Sequence, residues 1–297
     1  MPVRHSAVSL RLRSAFLVAS FWMVVLAAWP RQVFPAQQSA QQGIYVSDFD
    51  NHRIVMMKDM TGLGWTAYGR RGSGVHEFKY PKGIFVDDAG RIYIADSDNN
   101  RIVRINNMRG DGWIALPTDS PQAVFLDQQG RIYTSERVDD MTGAGRVSLP
   151  GVMATMYGIH VDREGRIYGV DFPHDSIVRI DSITGAGLRR FGAHGGGPGQ
   201  FHFPFGIFVD SRGRIYVTDG ENKRVVRIDD MTGAGWTELG GLFCPSGIAL
   251  DSVGRIYISE CGPNGHIIRV DDMIGAGRAT FGRDFFNAFH IFVIPWH

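Results

Sequence analysis

Short apolar runs separated by glycine-containing turns follow one another along most of this chain. In the fullest example, branched and aromatic residues dominate Gly206–Asp210 and Arg214–Thr218, on either side of the turn Ser211–Gly213. The run RVVRI at Arg224–Ile228 and the shorter WTELG at Trp236–Gly240 complete the set. Runs of this length and pattern predict β-strands joined by tight turns. Since no stretch carries a convincing helical period, we expect an all-β fold.

The first two of these strands belong to a sequence motif that recurs along the chain. Its fullest copy is GIFVDSRGRIYVTD, and related copies begin at Gly83, Ala123, Gly158 and Gly247, with a half copy, GIYVSD, at Gly43. A turn of the DDMTGAG type closes the third strand of each unit, at Lys58–Gly64, Asn106–Gly112, Asp139–Gly145, Asp181–Gly187, Asp229–Gly235 and Asp271–Gly277. Four antiparallel strands in about 40–50 residues are the size of a propeller blade. Six turns therefore predict six blades.

The two ends of the repeat region predict how the ring closes. The chain enters at Gly43–Ser47 with a second strand and lacks the first strand of that blade. It finishes with AFHIFVI at Ala288–Ile294, which resembles the missing strand. Pairing these two segments removes the exposed edge that an open sheet would offer. We therefore predict a six-bladed β-propeller over residues 43–297, with the C-terminal strand paired into the first blade.

The third unit departs from the pattern. Its second strand, within Ile132–Arg137, runs straight into VDDMTGAG, so the usual turn and most of the third strand are missing. We expect a shortened or irregular third blade, with lower local stability or a notch at the rim.

The N-terminal residues have a different character. Three arginines precede an uncharged stretch, residues 14–28, that ends in two alanines. These are the marks of a secretory signal, and the stretch is shorter than the roughly 20 apolar residues that span a bilayer. We predict a signal peptide at residues 1–28, with an uncleaved anchor at 14–28 as the alternative, and a flexible leader at 29–42. The protein would then be exported, to the periplasm or the exterior.

Charge limits the classes of partner. The chain has 31 Lys and Arg against 30 Asp and Glu, and removing residues 1–28 with their three arginines leaves 28 against 30. A near-neutral exported chain has no basic stripe of the kind that binds nucleic acid. We expect no nucleic-acid partner, and membrane contact only through the N-terminal segment.

Two cysteines, Cys244 and Cys261, flank the predicted hairpin of the last unit. Cys244 precedes the strand Gly247–Asp251 and Cys261 follows the strand Arg255–Glu260, so antiparallel pairing brings these outer ends together. We predict a disulfide bond, which suits an oxidising compartment and would contribute on the order of 3 kcal/mol. Two neighbouring free thiols are the alternative.

The segment Gly195–Ile228 resembles the NHL-repeat propellers. The resemblance lies in the lead-in G-Q-F-x-x-P-x-G, the turn V-D-x-x-G-R-I-Y-V and the element D-x-x-N-x-R. This last element occurs as Asp48/Asn51/Arg53, Asp96/Asn99/Arg101 and Asp219/Asn222/Arg224, and in weaker form as Asp171/His174 and Glu260/Asn264. The resemblance covers nearly everything from Gly43 onward and implies the fold rather than one function. Most members of this family are interaction scaffolds, a few are lyases, and related propellers are lactonases.

The polar residues that repeat are interpreted as structural. A catalytic set is needed once, whereas a network that stabilises a turn is needed in every blade, and an Asp can accept from Asn, Arg and backbone N–H groups. Each DDMTGAG turn offers two carboxylates, fewer than the six to eight oxygen ligands of calcium. We predict hairpin capping, with weak calcium binding as the alternative.

Four histidines do not repeat. His76 and His202 lie in loops that lead into first strands, whereas His160 and His290 lie on first strands, which line the channel of a propeller. Three converging histidines with an open fourth position would form a catalytic zinc site, and the candidate set is His160, His202 and His290. The peptidyl-hydroxyglycine amidating lyases look similar in fold and use such a site. A lone histidine on a strand is more often packed than ligating, so we expect no cofactor, with zinc as the alternative.

The loops that lead into the first strands vary in length, whereas the DDMTGAG turns do not. Variable loops on a rigid scaffold usually carry recognition. Candidate binding residues on this face are His76, Phe78, Tyr80, His202, Phe203 and Phe243. We therefore predict an exported, non-catalytic scaffold that binds a protein or peptide, or else a carbohydrate. The alternative is an enzyme that uses the central channel, either a metal-dependent lyase or a gluconolactonase-like hydrolase.

Overall fold

A computed structural model describes residues 43–153, 156–282 and 285–294. The predicted signal peptide and leader lie outside these residues. Within them, 24 strands form six four-stranded antiparallel sheets, and the helical segments are three single 3₁₀ turns, at Ser97–Asn99, Gly151–Met153 and Phe172–His174. None of the helical segments described is long and apolar enough to cross a membrane.

Each sheet is one blade, and its four strands follow one another from the inside of the ring outward. Blade 1 contains β24 (Ala288–Val293), β1 (Ile44–Asp48), β2 (Arg53–Met57) and β3 (Thr66–Tyr68). Blade 2 contains β4 (Pro81–Val86), β5 (Ile92–Asp96), β6 (Arg101–Ile105) and β7 (Ile114–Pro117). Blade 3 contains β8 (Phe125–Leu126), β9 (Ile132–Tyr133), β10 (Glu136–Val138) and β11 (Val147–Ser148).

The second half of the ring repeats this order. Blade 4 contains β12 (Ile159–Val161), β13 (Ile167–Asp171), β14 (Ser176–Ile180) and β15 (Arg189–Phe191). Blade 5 contains β16 (Pro204–Val209), β17 (Ile215–Asp219), β18 (Arg224–Ile228) and β19 (Thr237–Leu239). Blade 6 contains β20 (Pro245–Leu250), β21 (Ile256–Glu260), β22 (Ile267–Val270) and β23 (Ala279–Phe281).

The predicted closure of the ring is confirmed. Strand β24 pairs antiparallel with β1, with Val293 opposite Ile44 and Phe292 opposite Tyr45. The inner strands contact one another in the cyclic order β24, β4, β8, β12, β16 and β20, so that blade 1 touches both blade 2 and blade 6. Pairing β24 with β1 completes the first blade, so that every blade of the ring has four strands.

The apolar core lies between the blades. Six clusters of buried side chains fill the six interfaces between neighbouring blades. Between blades 4 and 5, for example, Tyr168 and Val170 pack with Ile207, Ile215 and Val226. Each blade therefore buries its apolar face only against its neighbours, as in other repeat architectures.

The repeated aspartates cap turns, as predicted. The carboxylate of Asp210 accepts the backbone N–H groups of Arg212 and Arg214 at 2.9 and 3.0 Å and the Nε of Arg214 at 2.7 Å. On the same face, Oδ1 of Asp230 accepts the N–H of Thr232 at 2.7 Å and its hydroxyl at 2.5 Å. Such local bonds stabilise the hairpins.

Two further predictions are confirmed. Blade 3 is the shortest of the six, although β10 retains a three-residue third strand. The turn before it is very tight, because the N–H of Thr134 donates to the carbonyl of Glu136 at 2.7 Å. Cys244 and Cys261 form a disulfide bond between the outer ends of the first hairpin of blade 6, with their Cα atoms 5.2 Å apart.

Candidate functional site: the mouth of the central channel

A buried aspartate at the end of the second strand organises one face of the propeller. In blade 5, Asp219 accepts the N–H of His202 at 2.7 Å, Nδ2 of Asn222 at 2.9 Å and Nε of Arg224 at 2.8 Å. Burial raises the pKa of Asp219 even though these bonds oppose the rise. The D-x-x-N-x-R element is therefore structural, as predicted.

The same network also fixes the lead-in loop, which is the connection from the fourth strand of one blade to the first strand of the next. Arg224 donates to the carbonyls of Gly196 at 2.8 Å and Gln200 at 2.9 Å, and Asn222 donates to that of Gly195 at 2.8 Å. In blade 2, Arg101 donates in the same way to Ser73 and Glu77, at 2.9 and 2.8 Å. These loops are thus rigid supports for whatever side chains they present.

The six inner strands share one register, which divides the channel into layers. In each blade, one residue of the inner strand pairs with the tyrosine of the second strand, and these six residues form what we call the aromatic layer. Its members are Phe85, Phe125, His160, Phe208, Ala249 and Phe292. Successive ring centroids from Phe292 through Phe85, Phe125 and His160 to Phe208 are 4.7 to 5.1 Å apart. This layer packs aromatic rings around the axis.

Two residues earlier in each strand lies the small layer: Gly83, Ala123, Gly158, Gly206, Gly247 and His290. Neighbouring backbones approach closely here, since a Cβ added to Gly206 would lie 2.6 Å from the carbonyl oxygen of Ser246. The hydroxyl of Thr218 uses this proximity, accepting from Gly206 N–H and donating to Ser246 O, each at 2.7 Å. Glycine is needed at position 206 because a Cβ there would collide with the backbone of the next blade.

His290 is the exception in the small layer. Burial lowers the pKa of its imidazole to about 4, so the ring is neutral near pH 7. Its Nδ1 is buried and has no hydrogen-bond partner within the described ranges. The backbone N–H of His290 donates to the hydroxyl of Ser47 at 3.0 Å.

The outermost layer, which we call the mouth layer, contains the residue that precedes the small one in each copy of the repeat, within the inner strand or just before it. Its members are Lys82, Gln122, Tyr157, Phe205, Ser246 and Phe289. Their contacts cross the axis rather than joining only neighbours. The ring centroids of Phe205 in blade 5 and Phe289 in blade 1 are 6.1 Å apart, although these blades are not adjacent.

Aromatic side chains from the surrounding loops extend the mouth layer outward. Phe49 lies 5.4 Å from Phe289 and 4.8 Å from Tyr80 between ring centroids. On the other side, Phe172 lies 4.5 Å from Tyr157 and 5.0 Å from Phe203. The rings thus form one continuous surface from the lead-in loop of blade 2 to that of blade 5.

Lys82 is the cation at the centre of this surface. Its Nζ lies 5.4 Å from the ring centroid of Tyr157 and 5.9 Å from those of Phe49 and Phe289. It also donates a hydrogen bond to Oε1 of Gln122. Burial lowers the pKa of the Lys82 ammonium, and the charge of Asp98 opposes that shift. The mouth therefore combines one partly desolvated positive charge with a ring of π faces.

The comparison with known families agrees with this architecture. The NHL repeat model matches residues 78–105 and 201–228, which belong to blades 2 and 5. Two NHL repeats therefore lie within this six-bladed β-propeller. No curated protein is similar enough in sequence to match it.

Several solved structures share the fold of this NHL propeller. Virginiamycin B lyase from Staphylococcus aureus is 21% identical over 68% of this chain and 69% of that chain, with a TM-score of 0.51. A chain of a nidogen/laminin complex is 18% identical over 84% of this chain and 97% of that chain, with a TM-score of 0.69. A Bacteroides caccae protein of unknown function is 14% identical with the same coverage and a TM-score of 0.65. At these identities the likeness shows the fold alone.

The residues predicted for the binding face differ in how close they lie to the mouth. Tyr80 and Phe203 border the mouth, and His202 stacks beside Phe203 at 4.8 Å. Phe243 is 63% exposed on the next lead-in loop, and His76 is an exposed residue that contacts Tyr68. The face formed by the lead-in loops therefore remains a candidate binding surface.

Phe78 requires a correction. Its side chain is fully buried, at 0% exposure, and packs 5.5 Å from the ring of Trp113. The lead-in G-Q-F motif explains this, because its equivalent in blade 5, Phe201, is also fully buried. Phe78 belongs to the core between blades and not to a binding surface.

The three histidines proposed as zinc ligands have separate surroundings in the NHL propeller. His160 packs between Phe125 and Phe208 in the aromatic layer, whereas His202 lies in a lead-in loop, 4.6 Å from His194 between ring centroids. Burial lowers the pKa of His160 to about 4. In the part of the chain that the structure covers, no three His, Cys, Asp or Glu side chains are grouped as metal ligands. The geometry therefore gives the zinc prediction no support.

The mouth layer itself was not predicted from the sequence. The signal was nevertheless present, because the repeated phrase begins at the small residue and the position before it is the one that varies most in chemistry. It is Lys, Gln, Tyr, Phe, Ser and Phe in the six copies. In a repeat, a variable position beside one that is mostly glycine indicates a site where each blade makes its own contribution to a surface.

Proposed function

We propose that this NHL propeller is an exported, non-catalytic scaffold that binds a protein or peptide on the face formed by the lead-in loops. The observation that supports this function is the aromatic surface around the mouth. Phe203, 41% exposed, lies at its edge, and Phe243, 63% exposed, and Phe286, 44% exposed, lie on other lead-in loops. Aromatic residues held by rigid loops are the usual anchors of protein interfaces.

The location of the protein is part of the same proposal. The disulfide bond between Cys244 and Cys261 is typical of oxidising compartments and supports export. The sequence of residues 1–28 supports it as well, since it has the organisation of a signal peptide. A periplasmic or extracellular scaffold meets proteins, peptides and glycans but not nucleic acid.

Selection from a displayed library of random peptides tests the function. We expect peptides that bind the full-length protein and lose about tenfold or more in affinity with Phe203→Ala or Phe243→Ala, as anchor residues do. Ile274→Ala is the matched control, because Ile274 is 90% exposed on a DDMTGAG-type turn at the other ends of the strands. Equal losses in all three variants, or no selected peptide, would contradict the proposal.

The enzyme alternative is tested by metal content. Stoichiometric zinc or calcium in the purified protein, lost in His160→Ala or His290→Ala, would contradict the scaffold function and indicate a metal-dependent enzyme. If the protein instead selects oligosaccharides, and Phe203→Ala weakens their binding by the same factor, the ligand is a carbohydrate and not a peptide.

A further inference from the structure

We propose that Lys82 receives the C-terminal carboxylate of a peptide ligand whose last side chain is apolar. This inference rests on the proposed peptide-binding function and names the part of the ligand that enters the mouth. It is drawn from the position of one ammonium group among rings that come from different blades and meet over the channel axis.

The first step concerns the hydrogen-bonding capacity of Lys82. An ammonium group has three donors, and within the described residues its hydrogen-bond acceptor is Oε1 of Gln122. The Gln122 amide is itself oriented, because its Nε2 donates to the carbonyl of Ser120 at 2.8 Å. Two N–H groups of Lys82 therefore remain for an acceptor from outside the propeller.

The second step concerns charge. Among the residues described, no carboxylate lies within ion-pair distance of Lys82. Asp98, whose charge acts on Lys82, is itself 3.7 Å from the ammonium of Lys79. Asp48 is paired with Arg53 at 2.7 Å, so it is already neutralised. The mouth layer itself thus carries one positive charge, that of Lys82, in a partly desolvated position, where an anion pairs more strongly than in water.

The third step selects the kind of anion. Phosphate groups are usually met by several donors, such as arginine forks or the N-terminus of a helix. Lys82 is the one cationic member of the mouth layer, beside Gln122, Tyr157, Phe205, Ser246 and Phe289. One ammonium matches one carboxylate in charge.

The fourth step concerns the kind of molecule that carries the carboxylate. The rings next to Lys82 are half-buried and apolar, and they continue outward without interruption from Tyr157 through Phe172 to Phe203. A chain that enters along the axis places its terminus at Lys82, its last side chain on Tyr157 and Phe289, and its preceding residues on the rim. Capture of a terminal carboxylate is an established mode of peptide recognition.

Two pools of random pentapeptides, one with free acid ends and one with amide ends, test this inference on the full-length protein. We expect the acid pool to yield binders that end in an apolar residue. Such a binder should lose about tenfold or more in affinity when its terminus is amidated, because a charge-assisted hydrogen bond is removed. Lys82→Met should weaken the acid by the same factor and leave the amide unchanged.

Lys79→Met is the matched control for the substitution, since Lys79 lies three residues away and pairs with Asp98. It should keep the preference for the acid. Circular dichroism and the unfolding temperature of Lys82→Met check that its fold is intact, and the comparison of acid with amide on the unmodified protein needs no variant.

Each remaining outcome decides between the two proposals. Equal binding of acid and amide pools, lost in Phe203→Ala, would overturn the role of Lys82 and leave the peptide-binding function standing. Dependence on an internal Asp or Glu, or binding of N-acetylphenylalanine as tight as that of the pentapeptide, would overturn the assignment to a peptide terminus. Binders from neither pool would overturn the peptide-binding function itself.

Discussion

Blades 5 and 3 are built from the same repeat but are held in different ways. In blade 5 the strands are three to six residues long, and Asp219, Asn222 and Arg224 lock the lead-in loop to the sheet. Blade 3 has strands of two or three residues and lacks this network. Blade 3 keeps six paired strand positions and blade 5 has twelve, so a blade of this ring can form with half the internal pairing of another.

The neighbours of blade 3 provide specific contacts. Arg146, next to β11, bonds to Glu136 within the blade and donates to the carbonyl of Pro117 in blade 2 at 3.0 Å. On the other side, Leu149 and Met153 pack with Tyr133 in a buried cluster shared with blade 4. Blade 3 therefore has specific contacts with both neighbours, whereas blade 5 adds the internal hydrogen bonds of Asp219 to such contacts.

The largest test of this contrast is removal of the buried aspartate. Asp219→Ala should lower the free energy of unfolding by about 3 kcal/mol, because the N–H of His202, Nδ2 of Asn222 and Nε of Arg224 lose their buried acceptor. Arg224, whose side chain is only 8% exposed, keeps its second ion pair with Glu238. Glu136→Ala, which breaks the half-exposed pair of blade 3, should cost less than about 1 kcal/mol. Urea unfolding of both variants measures the difference, and equal losses would refute it.

A smaller effect is expected at the contact between blades. Thr218→Val should cost about 1–2 kcal/mol, because its hydroxyl serves both Gly206 and Ser246 in the buried small layer. In blade 3 the hydroxyl of Thr134 makes only local bonds to Glu136, at 3.2 and 3.4 Å. Thr134→Val should therefore change the unfolding free energy by less than about 0.5 kcal/mol. A larger loss from Thr134→Val would mean that blade 3 has internal support after all.

Hydrogen exchange sharpens the comparison without any substitution. Amides of β10 should exchange about tenfold or more faster than those of β18, because short strands with few internal bonds open locally at lower free energy. Mass spectrometry of peptides that cover Glu136–Val138 and Arg224–Ile228 measures this ratio. Equal protection would show that the ring opens only as one cooperative unit.

The smallest difference is expected at the turns that the two blades share. Hydrogen bonds from Thr142 and Thr232 lower the pKa of Asp140 in blade 3 and of Asp230 in blade 5 below 3.8. A lowered folded-state pKa contributes stability above the unfolded value, and this stability disappears as the pH falls through the folded value. NMR titration should find both carboxylates shifted downward to a similar extent, and a shift in blade 5 alone would contradict the shared turn.

The mouth shows why part of the candidate site could be predicted and part could not. Tyr80 and Phe203 were found because they lie in variable loops beside a regular repeat. The prediction for Phe78 is wrong because this phenylalanine, like Phe201 at the equivalent position of blade 5, lies in the core between blades, which only its zero exposure reveals. Lys82 and Tyr157 meet although blades 2 and 4 are not neighbours. No local pattern could indicate that contact, because it depends on the diameter of the closed ring.

The amino-acid sequence by itself determined the strands, the turns, the six blades, the pairing of the last strand with the first blade and the disulfide bond. Each of these depends on periodicity or on turn chemistry within about 40–50 residues, the length of one blade, and repetition made every signal visible several times. The tertiary structure alone decided which single residue of each copy reaches the axis and what it meets there. Closing the ring brings together six positions that are far apart in the chain, and the properties of their shared surface exist only after that closure.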